Sequence, residues 1–312
     1  MDYIVFLISM SALIYGANFI IVESERIALH FDISPFVIGA TLIAVGTSLP
    51  EMAASVAASS AGKSEMAVAN VLGSVTFNIS LVLGVIFLLA KELKPKRDLF
   101  KNDSAWSLFP LLVFFIMAYD GVIGRFEGFL FLLLMVGYLL FLSKDAKAIE
   151  EEVDLDLVKK EKFNWLKTSA LLLVGFTLVI MGANYTIESA SSIARGLGVS
   201  EWVISLILIA FGTSLPELVV SIVAAKKGNA DMIVGNIIGS NVANFTIVLG
   251  SAAIVSPLSV DFSKYGFDIL CAATASIMLV FITANKLYNK SAGIGLLVII
   301  ALMLHNSLKQ FI

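Results

Sequence analysis

The chain has 312 residues, of which 59% are hydrophobic and only 14% are charged, and its mean hydropathy is +0.95. Soluble domains carry about 25% charged residues, so the composition excludes a soluble globular domain and predicts an integral protein of the cell membrane, with the lipid bilayer as its partner. The net charge of −3 offers no basic surface for nucleic acid. Nothing in the sequence indicates an obligate protein partner, and the single cysteine, Cys271, cannot form an intrachain disulfide.

Ten apolar segments, each long enough to cross the hydrocarbon core, follow one another along the chain. They cover residues 3–22, 35–60, 66–90, 104–120, 126–142, 166–186, 201–225, 232–256, 266–284 and 291–308. The second, third, seventh and eighth also carry Gly, Ser, Thr, Asn and Pro, so we expect them to lie inside the bundle rather than against lipid. The first lacks a basic leader and a cleavage site, which favours a retained span over a signal peptide.

The basic residues between these spans indicate the orientation of the chain. If the N-terminus lies outside, sixteen Lys and Arg residues fall in cytoplasmic loops and five fall outside. Cytoplasmic loops of membrane proteins carry an excess of Lys and Arg. The sequence therefore predicts that both termini face outside.

A sequence motif occurs twice at an offset of 166 residues. "AVGTSLPE" at 44–51 returns as "AFGTSLPE" at 210–217, and "NVLGSVTFN" at 70–78 returns as "NIIGSNVAN" at 236–244. Residues 34–84 align with 200–250 without a gap, and 24 of the 51 positions are identical, which indicates an internal repeat.

Each half of the chain contains five predicted spans, so the second half would insert upside down relative to the first. This inverted arrangement is typical of secondary transporters, whose substrate site lies between the repeats at the midplane. The predicted fold is therefore all-α, with ten transmembrane helices in two inverted five-helix repeats, 1–142 and 166–312. Residues 143–165 would form a cytoplasmic linker whose acidic residues 150–156 belong to a solvated segment or, alternatively, to a regulatory cation site.

The repeated motif places polar groups on shared helix faces, because residues four apart lie on one side of a helix. Four polar stripes result: Thr47, Glu51 and Ser55 with Ser48 beside them; Thr213, Glu217 and Ser221 with Ser214 beside them; Asn70, Ser74 and Asn78; and Asn236, Ser240 and Asn244. Pro50 and Pro216 lack an N–H, so the carbonyls of Gly46 and Gly212 lose their helical partners. Carboxylates, hydroxyls, amides and carbonyls are hard oxygen ligands that suit Ca²⁺ or Na⁺ rather than zinc or copper.

A purely structural role for these residues is the alternative. A charged side chain at the bilayer centre costs at least about 2.5–3.5 kcal/mol, and its occurrence at matched positions in two repeats argues against a passive role for Glu51 and Glu217. For Asn70 and Asn236 a helix-bridging role and a ligand role are equally open.

The motifs "GATLIAVGTSLPE" with "NVLGSVTFN", and "LILIAFGTSLPE" with "NIIGSNVAN", resemble the two alpha-repeats of the sodium/calcium exchangers of the cation/calcium antiporter superfamily. The resemblance is closest to the short prokaryotic members and covers both core repeats. It implies that Glu51 and Glu217 bind Ca²⁺. It also implies that the first and sixth helices slide over the core to alternate access.

The resemblance assigns the remaining ligands as well. Thr47 and Thr213 would contribute carbonyl and hydroxyl oxygens, and Asn78 and Asn244 would lie at the middle of the site. The flanking Na⁺ sites would use the residues Ser48, Ser74, Ser214 and Ser240, with carbonyls at Ala44 and Ala210. Some relatives carry aspartate where this chain has Asn244, so two carboxylates are present here instead of three.

The resulting hypothesis is an antiporter that exchanges Na⁺ for Ca²⁺, with no cofactor beyond the transported ions. An H⁺/Ca²⁺ antiporter on the same scaffold is the main alternative, since a buried glutamate can carry protons. A passive channel is a further alternative. An intramembrane hydrolase is disfavoured because the glutamates lack nearby histidine ligands and any nucleophile–base pair.

Overall fold

The structure is a computed structural model that describes residues 1–90, 93–144, 163–199 and 212–309. In the first half of the chain the helices are α1 (Asp2–Phe31), α2 (Pro35–Ile38), α3 (Ala44–Thr47), α4 (Leu49–Ser60), α5 (Ser64–Thr76), α6 (Gly84–Leu89), α7 (Leu99–Asn102), α8 (Ser104–Met117) and α9 (Arg125–Lys144). In the second half they are α10 (Trp165–Gly196), α11 (Leu215–Lys226), α12 (Ala230–Ala243), α13 (Leu249–Val255), α14 (Phe262–Asn285) and α15 (Lys290–Lys309).

Short segments of other secondary structure interrupt these helices. Gly39–Ile43, Phe77–Leu83 and Asn244–Val248 are π-helical and join α2 to α3, α5 to α6 and α12 to α13. A small departure from the predicted all-α fold is the antiparallel pairing of β1 (Val122–Ile123) with β2 (Leu258–Ser259). The ladder is only two residues long, so the protein remains essentially helical.

Eight described helices or helical runs are long and apolar enough to span a membrane, and Pro35–Thr47 with Leu49–Ser60 would make a ninth. They correspond to nine of the predicted spans, while the seventh, 201–225, is described only from residue 212 onwards. In the apolar 18-residue window of the third and eighth predicted spans, 78% and 83% of the residues are buried, against 28–44% in the corresponding windows of the other six continuous helical runs. Their predicted position inside the bundle is therefore confirmed.

The first and sixth spans are longer than predicted. Residues 3–22 and 166–186 mark only their apolar parts, whereas α1 continues to Phe31 and α10 to Gly196. Hydropathy falls at the membrane surface, but the helical hydrogen bonds continue beyond it. α1 ends where Asp32 adopts a left-handed conformation with φ 54° and its N–H donates to the carbonyl of Ala28.

Packing divides the chain into two compact units. The first comprises Met1–Thr47 and Leu140–Asn236, and the second comprises Ser48–Leu139 and Ile237–Ile312. Each unit holds parts of both sequence repeats. The predicted division of the chain into two repeats, 1–142 and 166–312, joined by a linker, 143–165, concerns sequence repetition rather than packing, and it stays a prediction. Most of the linker (145–162) lies outside the described residues.

In the first unit α1 and α10 pack closely against each other. A Cβ atom added to Gly16 would lie 2.7 Å from the carbonyl oxygen of Gly175, and one added to Gly182 would lie 2.9 Å from the backbone nitrogen of Leu13. Glycines therefore allow the two backbones to approach, as is common between membrane helices.

Hydrogen bonds join the same two helices at separate levels. Thr186 Oγ1 donates to Ser9 Oγ at 2.9 Å, and Thr168 Oγ1 donates to Glu23 Oε2 at 2.8 Å. The other oxygen of the buried Glu23 carboxylate accepts from Arg26 at 2.6 Å. Both oxygens of this acid are thus satisfied inside the first unit.

The second unit is centred on α4 and α5, which contact each other, α13 and the π segment Asn244–Val248. Ser59 Oγ donates to the carbonyl of Ala252 at 2.7 Å and so ties α4 to α13. Glycines again permit close approach, because a Cβ atom at Gly250 would lie 2.8 Å from the carbonyl oxygen of Gly128.

Candidate functional site

The two copies of the GTSLPE motif have the same backbone conformation at their serine, where a helix begins. Ser48 has φ −85° and ψ 4° and precedes α4, and Ser214 has φ −89° and ψ 3° and precedes α11. In each copy a proline lies in the first turn of the new helix, where its missing N–H costs no hydrogen bond. The motif therefore begins a new helix in both repeats, and it places its glutamate in the first turn.

Both glutamates of the motif are fully buried. Glu51 in α4 and Glu217 in α11 are each 0% exposed. The first turn of a helix is also where a negative charge is most stabilised by the helix dipole. Two acids taken completely out of solvent, at equivalent positions, are what a binding site for a cation requires.

The hydroxyl groups of the motif lie beside these glutamates in the sequence and are also largely buried. Thr47 is 0% exposed and its Oγ1 donates to the carbonyl oxygens of Ile43 at 3.1 Å and Ala44 at 3.3 Å. Ser48 and Ser214 are 3% and 4% exposed, whereas Thr213 is half-buried. Ala210 lies outside the described residues.

Asn70 and Asn236 bridge helices in both repeats. Asn70 Nδ2 donates to Ser55 Oγ at 2.9 Å and to the carbonyl of Glu51 at 3.2 Å. In the other repeat Asn236 Nδ2 donates to Ser221 Oγ at 3.3 Å. The bridging role that the sequence left open is therefore present, and it fixes the helix that carries each glutamate.

Asn78 and Asn244 lie in the π segments Phe77–Leu83 and Asn244–Val248, at positions that the repeat makes equivalent. Both are 0% exposed. Among the described residues, neither polar atom of the Asn244 amide has a hydrogen-bond partner, and the same holds for Asn78 Oδ1. π-Helical turns occur often at functional sites, and a buried amide without a partner needs a ligand or an ordered water.

The predicted hydroxyls near these amides are buried too. Ser74 in α5 and Ser240 in α12 are 3% and 0% exposed. Ser48 Oγ and Ser240 Oγ have no hydrogen-bond partner in the described part of the chain. These oxygens remain available to a bound ion.

Asn241 is a further buried amide beside these candidate ligands, and sequence reasoning missed it. Its Oδ1 accepts from Asn78 Nδ2 at 3.4 Å, and its own Nδ2 is buried with no hydrogen-bond partner among the described residues. The repeat could not reveal it, because the equivalent position in the first half is Val75. The hydrogen bond to Asn241 fixes the orientation of the Asn78 amide and therefore the direction of Asn78 Oδ1.

Each unit brings together predicted ligands from both repeats. In the first unit α3, with Ala44 and Thr47, contacts α11, which carries Glu217. In the second unit α4, with Glu51, contacts the π segment that begins at Asn244. Within the described residues there is no group of three or more His, Cys, Asp and Glu side chains that could hold a metal ion. The predicted ligands that each unit brings together are mostly neutral oxygen donors, a ligand type that suits Na⁺ and Ca²⁺.

Comparison with known proteins gives a consistent result. The family model for the sodium/calcium exchanger protein matches residues 1–144 and 167–308. An uncharacterized membrane protein of Methanocaldococcus jannaschii is 36% identical over 275 residues, which are 88% of this chain and 87% of that protein. The sodium/calcium exchanger MaX1 of Methanosarcina acetivorans is 31% identical, over 95% of each chain.

The fold also resembles a solved structure. A structure of the sodium-calcium exchanger NCX_Mj, soaked with Na⁺ and Sr²⁺, superposes with a TM-score of 0.81 at 32% identity, over 97% of this chain and 98% of that one. Because the family model matches nearly all of both halves and relatives above 30% identity cover most of the chain, the protein belongs to the sodium/calcium exchanger family and is a multi-pass cell-membrane antiporter rather than an enzyme.

Proposed function

We propose that the protein exchanges Na⁺ for Ca²⁺ by alternating access, and that Glu51 and Glu217 both bind the transported cation at the bilayer midplane. The observation that carries the proposal is the full burial of both glutamates at the start of equivalent helices. Ca²⁺ is the substrate that two carboxylates neutralise. The name of the sodium/calcium exchanger MaX1 and a structure of NCX_Mj soaked with Na⁺ and Ca²⁺ support this pair of ions.

The proposed shell of ligands follows the repeat. Carboxylates come from Glu51 and Glu217, and neutral oxygens come from the residues Ala44, Thr47, Ser48, Ser74, Asn78, Ala210, Thr213, Ser214, Ser240 and Asn244. We further propose ten helices in two inverted repeats with both termini outside. In this arrangement α1 and α10 are the elements that slide, and their close contact makes them suited to move together.

The test is Ca²⁺ uptake into proteoliposomes that are loaded with Na⁺ and diluted into Na⁺-free medium containing ⁴⁵Ca²⁺. The wild-type chain should accumulate Ca²⁺. Glu51→Gln and Glu217→Gln should each lower the initial rate at least tenfold, because loss of one carboxylate removes more than about 1.4 kcal/mol of cation binding.

Glu188→Gln is the matched control, since Glu188 is an exposed acid of α10. It should leave uptake unchanged. Full activity in both glutamate variants, or no uptake by a correctly folded wild-type preparation, would contradict the proposal.

The second candidate is H⁺/Ca²⁺ exchange, which is favoured by one observation: both glutamates are fully buried, and a carboxyl group in such a place can exchange protons as well as bind a cation. The same vesicles distinguish the two candidates. Uptake driven by a pH gradient in potassium medium without Na⁺ would indicate protons, whereas uptake that needs internal Na⁺ supports the first proposal.

A further inference from the structure

An acidic residue of α14 lies inside a membrane-spanning helix and is not among the proposed cation ligands. Asp268 lies six residues, or about 9 Å, beyond the start of the span Phe262–Asn285. The residue is half-buried, and its Oδ1 atom is buried without a hydrogen-bond partner among the described residues. Acids inside membrane helices are rare and usually belong to ion or proton pathways.

Asp268 also lacks a cation that would balance a negative charge. No Lys, Arg or His in the described part of the chain forms an ion pair with it. Lys264, one turn away on α14, is paired instead with Glu65 Oε2 at 2.5 Å. A charged oxygen that is buried without a donor is unfavourable, whereas a bound proton removes the charge and gives the carboxyl group a donor of its own.

Two buried serines have hydroxyl groups in the same situation. Ser276 of α14 and Ser80 of the π segment Phe77–Leu83 are each 0% exposed, and neither Oγ atom has a hydrogen-bond partner within the described residues. A helical Ser or Thr can bond to the carbonyl of an earlier turn, as Thr274 does on α14 and as Thr246 does at the position equivalent to Ser80 in the second repeat. The two serines do not use this local acceptor, and a buried hydroxyl without a partner needs a ligand or an ordered water.

A hydrogen bond between α5 and α14 identifies the faces of the two helices that meet. Tyr265 of α14 donates to Glu65 Oε2 of α5 at 2.8 Å. Ala272 and Ser276 follow Tyr265 by seven and eleven residues and therefore lie on the same face of α14. Asp268 follows Tyr265 by three residues and lies at the edge of that face.

α5 and the π segment that continues it form the other side of this contact. Thr76 follows Glu65 by eleven residues and lies on the same face of α5. Ser80 comes four residues later, inside the π segment, where four residues make nearly a full turn. Ser80 therefore stays on this face, and α14 contacts both α5 and the π segment.

The polar groups along this contact form a line rather than one coordination site. Asp268 and Ser276 are eight residues apart, which is about 12 Å along the helix axis, so no single metal ion can contact both. Ala272, between them on the helix, is 0% exposed, and its small side chain leaves room for water. An acid followed by buried hydroxyls suits the transfer of protons through water.

We propose that Asp268 binds a proton, and that ordered water molecules connect it through Ser276 to Ser80. The proton comes from bulk water at the surface where α5 and α14 begin, and only O–H bonds are made and broken. This line, Asp268–Ser276–Ser80, brings protons to the π segment that carries Asn78 without using a proposed cation ligand. The proposal does not depend on which ions the protein exchanges.

Other titratable groups on and around α14 define what a pH titration must separate from Asp268. α8 and the π segment Phe77–Leu83, which both contact α14, contain none. The described groups on the remaining contacting helices, on α14 and on its N-cap are Glu65, Lys101, Lys290, His305, Asp261, Lys264, Tyr265 and Cys271. Asp268→Asn leaves all of them in place, so a titration that this variant changes reports on Asp268.

Infrared difference spectra of the purified full chain in detergent, recorded between neutral and alkaline pH, test whether Asp268 holds a proton. Wild type should show the C=O band of a protonated carboxyl group at neutral pH, and this band should disappear as the pH rises. Asp268→Asn should lack this component. Glu51 and Glu217 are present in both chains, so the difference between the two sets of spectra isolates Asp268.

Asp120→Asn is the matched control, because Asp120 is an exposed aspartate outside the spans. It should leave the band unchanged. Equal melting temperatures of Asp268→Asn and wild type exclude unfolding as the cause of a lost band. A band that is equally strong in Asp268→Asn and wild type would overturn the proposal.

Reaction of an introduced thiol with Ag⁺ tests for water along the line. In a Cys271→Ala background, Ser276→Cys should react at least tenfold faster than Thr274→Cys, which places the thiol on the exposed side of the same helix. The physical reason is that Ag⁺ reaches a thiol through water but not through detergent or lipid. The readout is the fraction of thiol left for a maleimide after excess Ag⁺ is removed and the chain is unfolded. Equal rates, or a faster reaction of Thr274→Cys, would overturn the proposed line of water.

Discussion

At the scale of single residues, Asn244 is the proposed cation ligand whose surroundings are most informative. It is fully buried, both polar atoms of its amide lack a hydrogen-bond partner among the described residues, and it opens a π segment that contacts α4. A neutral amide at this position leaves two carboxylates for the proposed cations. Two carboxylates balance one Ca²⁺, but three Na⁺ in the same space would leave one uncompensated positive charge.

Asn244→Asp should therefore strengthen Na⁺ binding. A third carboxylate offsets the repulsion between several Na⁺ ions, so the Na⁺ concentration that gives half-maximal exchange should fall at least threefold. The measurement is ⁴⁵Ca²⁺ flux against Na⁺ concentration in proteoliposomes, with Asn285→Asp at the exposed end of α14 as control. A half-maximal Na⁺ concentration that is unchanged or higher in Asn244→Asp would argue that this side chain does not face the ions.

The sequence identified candidate cation ligands because the motif that carries them is duplicated. The matched positions of Glu51 and Glu217 identified them without a structure, and their burial agrees with that prediction. Asn241 was missed because position 75 in the first repeat is valine. The hydrogen bonds by which Asn70 bridges two helices were not predictable either, since the sequence alone does not show which groups an amide bonds to.

At the scale of secondary-structure elements, the pairing of α1 with α10 depends on glycine. The carbonyl of Gly175 would be 2.7 Å from a Cβ atom at Gly16, closer than real side chains approach. The helical periodicity and apolar character of both spans were predictable. The contact between α1 and α10 was not predictable, because an apolar surface that faces lipid and one that faces another helix look alike in sequence.

Gly16→Ala should separate these helices and lower stability. Forcing a methyl group into a packed interface costs about 1–3 kcal/mol, so the apparent melting temperature in detergent should fall. Gly137→Ala in α9 is the control, because a Cβ atom at Gly137 has no heavy atom within 4 Å. Equal melting temperatures for the two variants would show that α1 and α10 do not rely on this contact.

The π segments are the elements that the sequence predicted least well. A π turn inserts extra backbone into a helix without changing the apolar pattern enough to be noticed. Phe77–Leu83 and Asn244–Val248 were both read as continuous helix. Their placement around equivalent asparagines shows that the repeat is preserved in backbone geometry as well as in side chains.

At the scale of the whole molecule, the predicted topology is open to a direct test. The excess of Lys and Arg in one set of loops predicts that Lys63 faces outside and Lys226 faces the cytoplasm. Both residues are exposed, and the single native cysteine, Cys271, is buried and can be removed.

In a Cys271→Ala background, Lys63→Cys should react with a membrane-impermeant maleimide in intact cells. Lys226→Cys should react only after the membrane is made permeable. The readout is the labelled fraction of each variant on a gel. The reverse pattern would place both termini in the cytoplasm.

The lengths of α1 and α10 have a consequence for the surrounding bilayer. The two helices have 30 and 32 residues, so they are about 45 Å and 48 Å long, whereas the hydrocarbon layer is about 30 Å thick. Both must tilt or extend beyond that layer. Because glycine contacts and hydrogen bonds hold α1 and α10 together, the two helices tilt as one body. The thickness of the bilayer therefore exerts a force on both helices at once.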